Sequence, residues 1–104
     1  ILTQAFDNLI INAFQAMKRG QTLKIFFKRS RKRNAVIIFE NPGEIDASIL
    51  PKIFDRSFST KIEGNGVGLP LAKKNIALHD GELDCRVSEG KTSFRVVLPR
   101  IRRE

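Results

Sequence analysis

Apolar residues recur first at the three- and four-residue steps of a helix and then at the two-residue step of a strand, and the order of these switches limits the folds open to the chain. Leu2, Phe6, Leu9, Ile10, Ala13, Phe14 and Met17 make one stripe, and Gly20 stops it after Lys18 and Arg19. Leu23, Ile25 and Phe27 then alternate, a basic turn follows over 29–34, and the continuous apolar run 35–39 completes a predicted hairpin. Its first strand reads as half-buried and its second as more deeply buried. Asn41-Pro42-Gly43 breaks the second strand, and 46–54 is predicted as a short helix capped by Asp46. Another helix is predicted over 68–79, with Pro70 in its first turn, where a missing N–H costs little, and Gly81 beyond its end. Strands over 82–88 and 93–98 close the chain. The order α-β-β-α-α-β-β predicts an α+β two-layer sandwich, helices on one face of a mixed, mostly antiparallel sheet.

At 104 residues and 41% hydrophobic content, one small domain with a modest core fits, and a second does not. The net charge of +8 favours anionic partners without choosing among nucleotides, nucleic acids and acidic proteins. A single cysteine, Cys85, excludes an internal disulfide and suits a reducing compartment, and with a single histidine an ordinary zinc cluster is excluded too. No apolar run approaches the roughly 20 residues that span a bilayer, so a soluble domain is expected. The chain opens without an initiator Met and already inside a helical pattern, which predicts a fragment of a longer protein.

Gly64, Gly66 and Gly68 alternate and run straight into the second long helix, after a stretch over 56–65 that has no periodicity. Glycine tolerates the φ > 0 geometry that turns successive amides inward, and a helix start adds about half a positive charge. That combination predicts an anion site, with phosphate the guest. Two common phosphate motifs fail here. Gly90-Lys91-Thr92 resembles the end of a P-loop, but that motif needs Gly where Cys85 stands and a helix where 93–98 alternates as a strand. A dinucleotide fingerprint from Gly64 needs Gly at Leu69 and a strand immediately before it. On the first helix, Asn8 and Asn12 are four apart and flank the apolar stripe, so their amides stack on one side of it. Two such amides can ligate a hard cation and orient phosphate oxygens, since magnesium takes oxygen donors and retains waters.

Together these residues resemble the ATP-binding catalytic domain of sensor histidine kinases, within the superfamily shared with gyrase, a heat-shock chaperone and mismatch-repair ATPases. Residues 7–17, Asp-Asn-Leu-Ile-Ile-Asn-Ala-Phe-Gln-Ala-Met, look like the N box, with an ending similar to nitrogen-regulation kinases. Residues 53–61 look like the F box and its following Ser/Thr-Thr-Lys, and 64–69 are similar to Gly-Thr-Gly-Leu-Gly-Leu. His79-Asp80-Gly81 looks like His-Gly-Gly, and 90–94 like Gly-x-Thr-x-Phe. The resemblance covers essentially the whole chain and implies a Bergerat-type ATP-binding fold spanning 1–104 as one domain of a longer kinase.

It also implies a nucleotide-binding set of Asn8, Asn12, Asn41, Gly43, Ile45, Lys61, Gly64, Gly66, Val67, Gly68, Leu69 and Thr92. Within that set Asn12 ligates Mg2+, Asn8 and Lys61 stand next to the chemistry, and Thr92 hydrogen-bonds near the adenine. One box departs from the pattern. Where the family carries Asp-x-Gly-x-Gly, its carboxylate accepting from the adenine amino group, this chain has Glu40-Asn41-Pro42-Gly43-Glu44-Ile45. The register that retains Gly43 puts Asn41 at the adenine and loses the second glycine to a one-residue deletion. Glu40 is the other candidate, matched by charge alone.

ATPases of the superfamily place a water-activating Glu four residues before the Mg2+-binding Asn. Asn8 stands there, and an amide is no general base. A histidine kinase needs none, because its nucleophile is a neutral imidazole on another domain. The resemblance therefore implies ATP and Mg2+ as ligands, a histidine-containing dimerisation domain and a downstream response regulator as partners, and a cytoplasmic domain that touches no membrane. His79, at a helix end, matches the family's structural histidine and not the phosphoacceptor. Two other readings stay open: a related serine kinase or ATP sensor, which the altered 40–45 box allows, and a nucleic-acid module built on Arg29–Arg33 and Arg100–Arg103. The second leaves the asparagines and glycines unexplained. No aromatic residues interleave with the 29–33 run, which reads as a solvated turn.

Overall fold

The computed structural model describes residues 2–55 and 68–99. In chain order the elements are helix α1 (Leu2–Ala16), strands β1 (Lys24–Arg29) and β2 (Ala35–Pro42), a single 3-10 turn (Leu50–Lys52), helix α2 (Gly68–Leu78), and strands β3 (Glu82–Ser88) and β4 (Lys91–Leu98). The sheet order is β1-β2-β4-β3. Every pairing among the described strands is antiparallel, with no parallel component of the kind the expected mixed sheet would carry.

Both helices cover one face of this sheet. Alternation sends Ile37 and Phe39 of β2, Phe94 and Val96 of β4 and Leu83 of β3 to that face, where they meet Ala5 and Leu9 of α1 and Leu69, Ala72 and Ile76 of α2. Register makes the layers coincide, because Phe39 pairs with Phe94 and Ile37 with Val96. Phe6 stacks obliquely on Phe39 with centroids 5.9 Å apart, and Phe54 meets Phe94 edge-on at 6.3 Å. Each fully buried side chain of this size contributes about 1.5–3 kcal/mol of transfer free energy. The opposite face carries charges, including the Arg95–Asp84 ion pair at 2.8 Å between directly opposed residues.

Two local expectations fail. Residues 46–54 do not form an α-helix. The Asp46 carboxylate accepts from the Ser48 backbone N–H and hydroxyl, both at 2.9 Å, and these two bonds hold its pKa below the ordinary value. These are N-cap bonds, and one α-type bond follows, Leu50 N–H to Asp46 O at 3.0 Å, but Pro51 lacks the N–H that the next bond needs. Strand β1 is exposed along its whole length, not half-buried, with Phe27 76% exposed. It is an edge strand, and the helical layer packs on β2 and β3.

The basic run between β1 and β2 is a tight turn, closed by Arg33 N–H to Ser30 O at 2.8 Å and Ser30 N–H to Asn34 O at 3.0 Å, with Arg33 at φ 68°. Cys85 packs against the core, and burial, with the Asp84 charge adding, pushes its thiol up to about 12. It is protonated and unreactive at neutral pH.

Gly81 ends the α2–β3 connection for a steric reason. A Cβ there would lie 2.7 Å from the Val97 carbonyl oxygen and 2.9 Å from side-chain atoms of Ile76 and Leu98. The neighbouring Asp80, at φ 61°, takes the left-handed position after the helix. Gly81→Ala is expected to destabilise the chain by roughly 1–3 kcal/mol, since the backbone oxygen cannot rotate away. Thermal unfolding checks this: a Tm within a degree or so of wild type would show that helix and strand part freely.

Candidate functional site

Helix α1 buries Ala5, Leu9 and Ala13, which leaves Asn8 and Asn12 half-buried on its flank. The Asn8 Nδ2 is shielded from solvent and has no hydrogen-bond partner among the described residues. A buried donor left unpaired costs about 1–3 kcal/mol, so this amide is poised to donate to a guest oxygen.

At the end of β2, Asn41 lies on the helix-covered face and is 4% exposed. Its Nδ2 donates to the Pro42 carbonyl oxygen at 2.8 Å. A carbonyl oxygen only accepts, so the amide NH2 must face it, and Oδ1 is left as an acceptor. Glu40, one residue earlier, points to the other face of the strand, where it lies 3.9 Å from Lys91. The two candidates for the adenine position thus occupy opposite sides of the sheet, and Asn41 shares the side of Asn8 and Asn12.

Thr92 stands opposite Asn41 in the β2–β4 register and is 2% exposed. Its hydroxyl donates to the Gly43 carbonyl at 2.7 Å, so its proton is committed and its lone pairs remain. Gly43 itself, at φ 97°, donates its N–H to the Gly90 carbonyl at 2.7 Å. The glycine retained in the altered box therefore occupies a conformation that a side chain would strain.

Gly68 and Leu69 open α2 and are both buried, Leu69 within the core cluster and Ile45 packed against it. Three of the described candidates lie next to that cluster in sequence or on a strand face: Asn8 adjoins Leu9, Asn41 follows Phe39 by two on the same face, and Gly68 adjoins Leu69. Lys61, Gly64, Gly66, Val67 and the F box beyond Asp55 lie outside the described residues. Among the described residues no group of three or more His, Cys, Asp or Glu could hold a metal ion. A cation here would have to take amide and phosphate oxygens. His79 Nδ1 donates to the Asn75 carbonyl at 3.1 Å, an intrahelical tie at the end of α2.

Sequence reasoning passed over three residues. Lys73 of α2 donates to the Leu83 carbonyl at 2.8 Å and holds its Nζ 4.7 Å over the Phe54 ring, tying α2 to β3 and to the 3-10 segment. Glu44 accepts from the Gly90 N–H at 2.6 Å. Asn75 is buried with an unpartnered Nδ2. No period or motif marks any of them. Because no described residue satisfies the buried Asn75 donor, Asn75→Leu should stabilise the fold by about 1–2 kcal/mol. That predicts a Tm rise of roughly 4–8 °C per kcal/mol, and a lower Tm would mean that the amide is satisfied after all.

Comparison with known proteins finds a matching family, similar relatives and a similar solved structure. The family described as histidine kinase-, DNA gyrase B- and HSP90-like ATPase matches residues 1–102. The signal transduction histidine-protein kinase AtoS of Escherichia coli K12 is 36% identical over 101 residues, 95% of this chain and 17% of that protein. The sensory histidine kinase/phosphatase NtrB of Rhizobium leguminosarum bv. phaseoli is 37% identical over 114 residues, 94% of this chain and 30% of that one. The chain thus spans less than a third of either relative. The nucleotide-free catalytic domain of histidine kinase ThkA superimposes with a TM-score of 0.81 at 28% identity, covering 92% of this chain and 64% of that one.

Proposed function

Because the chain belongs to the histidine kinase-, DNA gyrase B- and HSP90-like ATPase family, we propose that it binds Mg-ATP and presents the γ-phosphate to a histidine on another domain of a two-component sensor kinase. The observation that carries the reading is Asn41, a buried amide whose NH2 is taken by Pro42 and whose oxygen, which makes no hydrogen bond among the described residues, would accept from an adenine amino group. At the other end of the site the buried, unpartnered Asn8 amide donates to a phosphate oxygen. The Asn12 amide oxygen would hold Mg2+, which supplies charge neutralisation between the phosphates. The donor set fits that ion, since oxygen ligands from an amide, phosphates and water suit a hard cation.

This chain's residues then supply positioning and electrostatics. Gly64, Gly66 and Gly68 offer backbone amides to the phosphates, Lys61 a cation, and Val67, Leu69 and Ile45 apolar wall, while Gly43 and Thr92 shape the base end. Neither Asn8 nor Asn12 can take a proton from water, which favours transfer to an imidazole over hydrolysis. In that transfer an N–P bond forms as the P–O bond to ADP breaks. The acceptor histidine belongs to a dimerisation domain and the phosphoryl group passes on to a response regulator, with the domain working in the cytoplasm.

Mg2+-dependent titration with ATP tests the reading. One acceptor bond contributes about 1 kcal/mol, so Asn41→Ala, which removes the amide oxygen, should weaken ATP roughly fivefold. An unchanged or tighter affinity in the variant would count against Asn41 at the adenine. Incubated alone with labelled ATP, the chain should acquire almost no label. Strong labelling of His79 would move the acceptor into this domain.

A further inference from the structure

The β2–β4 ladder ends at the pair Pro42 and Lys91, and Gly43 then turns away at φ 97°. Opposite this end, Glu89 at φ 50° and Gly90 at φ 79° form the two-residue turn between β3 and β4. Two consecutive positive φ values mark a type I′ turn, in which the second central residue's N–H has no partner inside the hairpin. That N–H is the one Glu44 takes, with its Oε2 2.6 Å from Gly90 N. The Gly43 N–H to Gly90 O bond and the Thr92 hydroxyl to Gly43 O bond, both 2.7 Å, complete the fastening. Glu44 is therefore the side chain that secures the hairpin tip to the end of β2, across 46 residues of sequence. Its charge makes it a stronger acceptor than a neutral group.

We propose that Glu44 is a positioning residue for the base end of the nucleotide pocket, pinning the 89–90 turn so that Gly43, Thr92 and the Asn41 acceptor are set before any ligand arrives. The inference rests on the reading of Asn41 as the purine contact. Without the Glu44 bond the corner has to be ordered during binding, and that cost comes out of the affinity for the base. It does not touch the phosphate end, which is built from α1 and the start of α2.

Calorimetric titration of the 104-residue chain with two probes, Mg-ADP and inorganic tripolyphosphate with Mg2+, separates the two ends. Glu44→Ala should lower ADP affinity about fivefold, the size of one charge-assisted bond, and leave tripolyphosphate binding unchanged. Glu44→Gln keeps an acceptor oxygen in place without the charge and should bind ADP with an affinity between those of wild type and Glu44→Ala. Wild-type ADP affinity in Glu44→Ala would overturn the role, as would equal losses for both probes or a Gln variant as weak as the Ala variant. Thermal unfolding of each variant shows whether an equal loss reflects a poorly folded chain. A wild-type chain that binds neither probe would overturn the nucleotide reading itself, and the Glu44 role with it.

Discussion

The antiparallel pairing of β2 with β4 is the contact on which the rest of the molecule depends. Its middle rungs, Ile37 with Val96 and Phe39 with Phe94, form the floor on which both helices rest. Its next rung toward the open end, Asn41 with Thr92, changes from apolar to polar on the same face, and both residues are buried. One ladder therefore serves as core and then as site, and the change of chemistry takes two residues. A slip of one residue would exchange Asn41 for Glu40 on the helix side and turn Phe39 outward, so the register that packs the core also chooses the acceptor.

The helical layer is held by contacts of a different kind. Gly81 lets the end of α2 come within side-chain-excluding distance of β4, and Lys73 then uses one ammonium group for a strand carbonyl and an aromatic face together. The second contact matters because Phe54 also abuts Phe94, linking the 3-10 segment to the most buried part of the sheet. Helix, segment and sheet are thereby fixed relative to one another just where the segment and α2 flank residues 56–67. Cation–π and edge-on aromatic contacts of this sort contribute about 0.5–2 kcal/mol each, modest singly but shared by three elements here.

The long elements could be read from the chain because each carries a periodic apolar signal over many residues. α1, α2 and all four strands fall where the spacing of Leu, Ile, Val and Phe puts them. The failures come from shorter-range chemistry and from tertiary position. Asp46 caps a first turn, but Pro51 has no N–H with which to continue it, so 46–54 loses its helix. The alternation of Leu23, Ile25 and Phe27 describes a strand correctly but cannot say which neighbour will cover it. For the proposed site, Asn8 and Asn12 stand out by their four-residue spacing beside the apolar stripe, and Asn41 by its register in the altered 40–45 box. Glu44, Lys73 and Asn75 do not, since a single charged or polar residue whose partner is ten or more positions away, or absent among the described residues, leaves no pattern in a sequence.

The bonds that close the corner at Gly43 join residues 46 to 49 positions apart. Closing loops of that length is entropically costly, and contacts between remote residues are typically among the last a domain acquires. On the ribosome, which emits the N-terminal portion first, the chain displays Asn8, Asn12 and Asn41 well before β4 emerges. Through that interval the three asparagines have no Thr92 or Gly90 to frame them. A pocket built on this corner would therefore be complete only once β4 lies between β2 and β3.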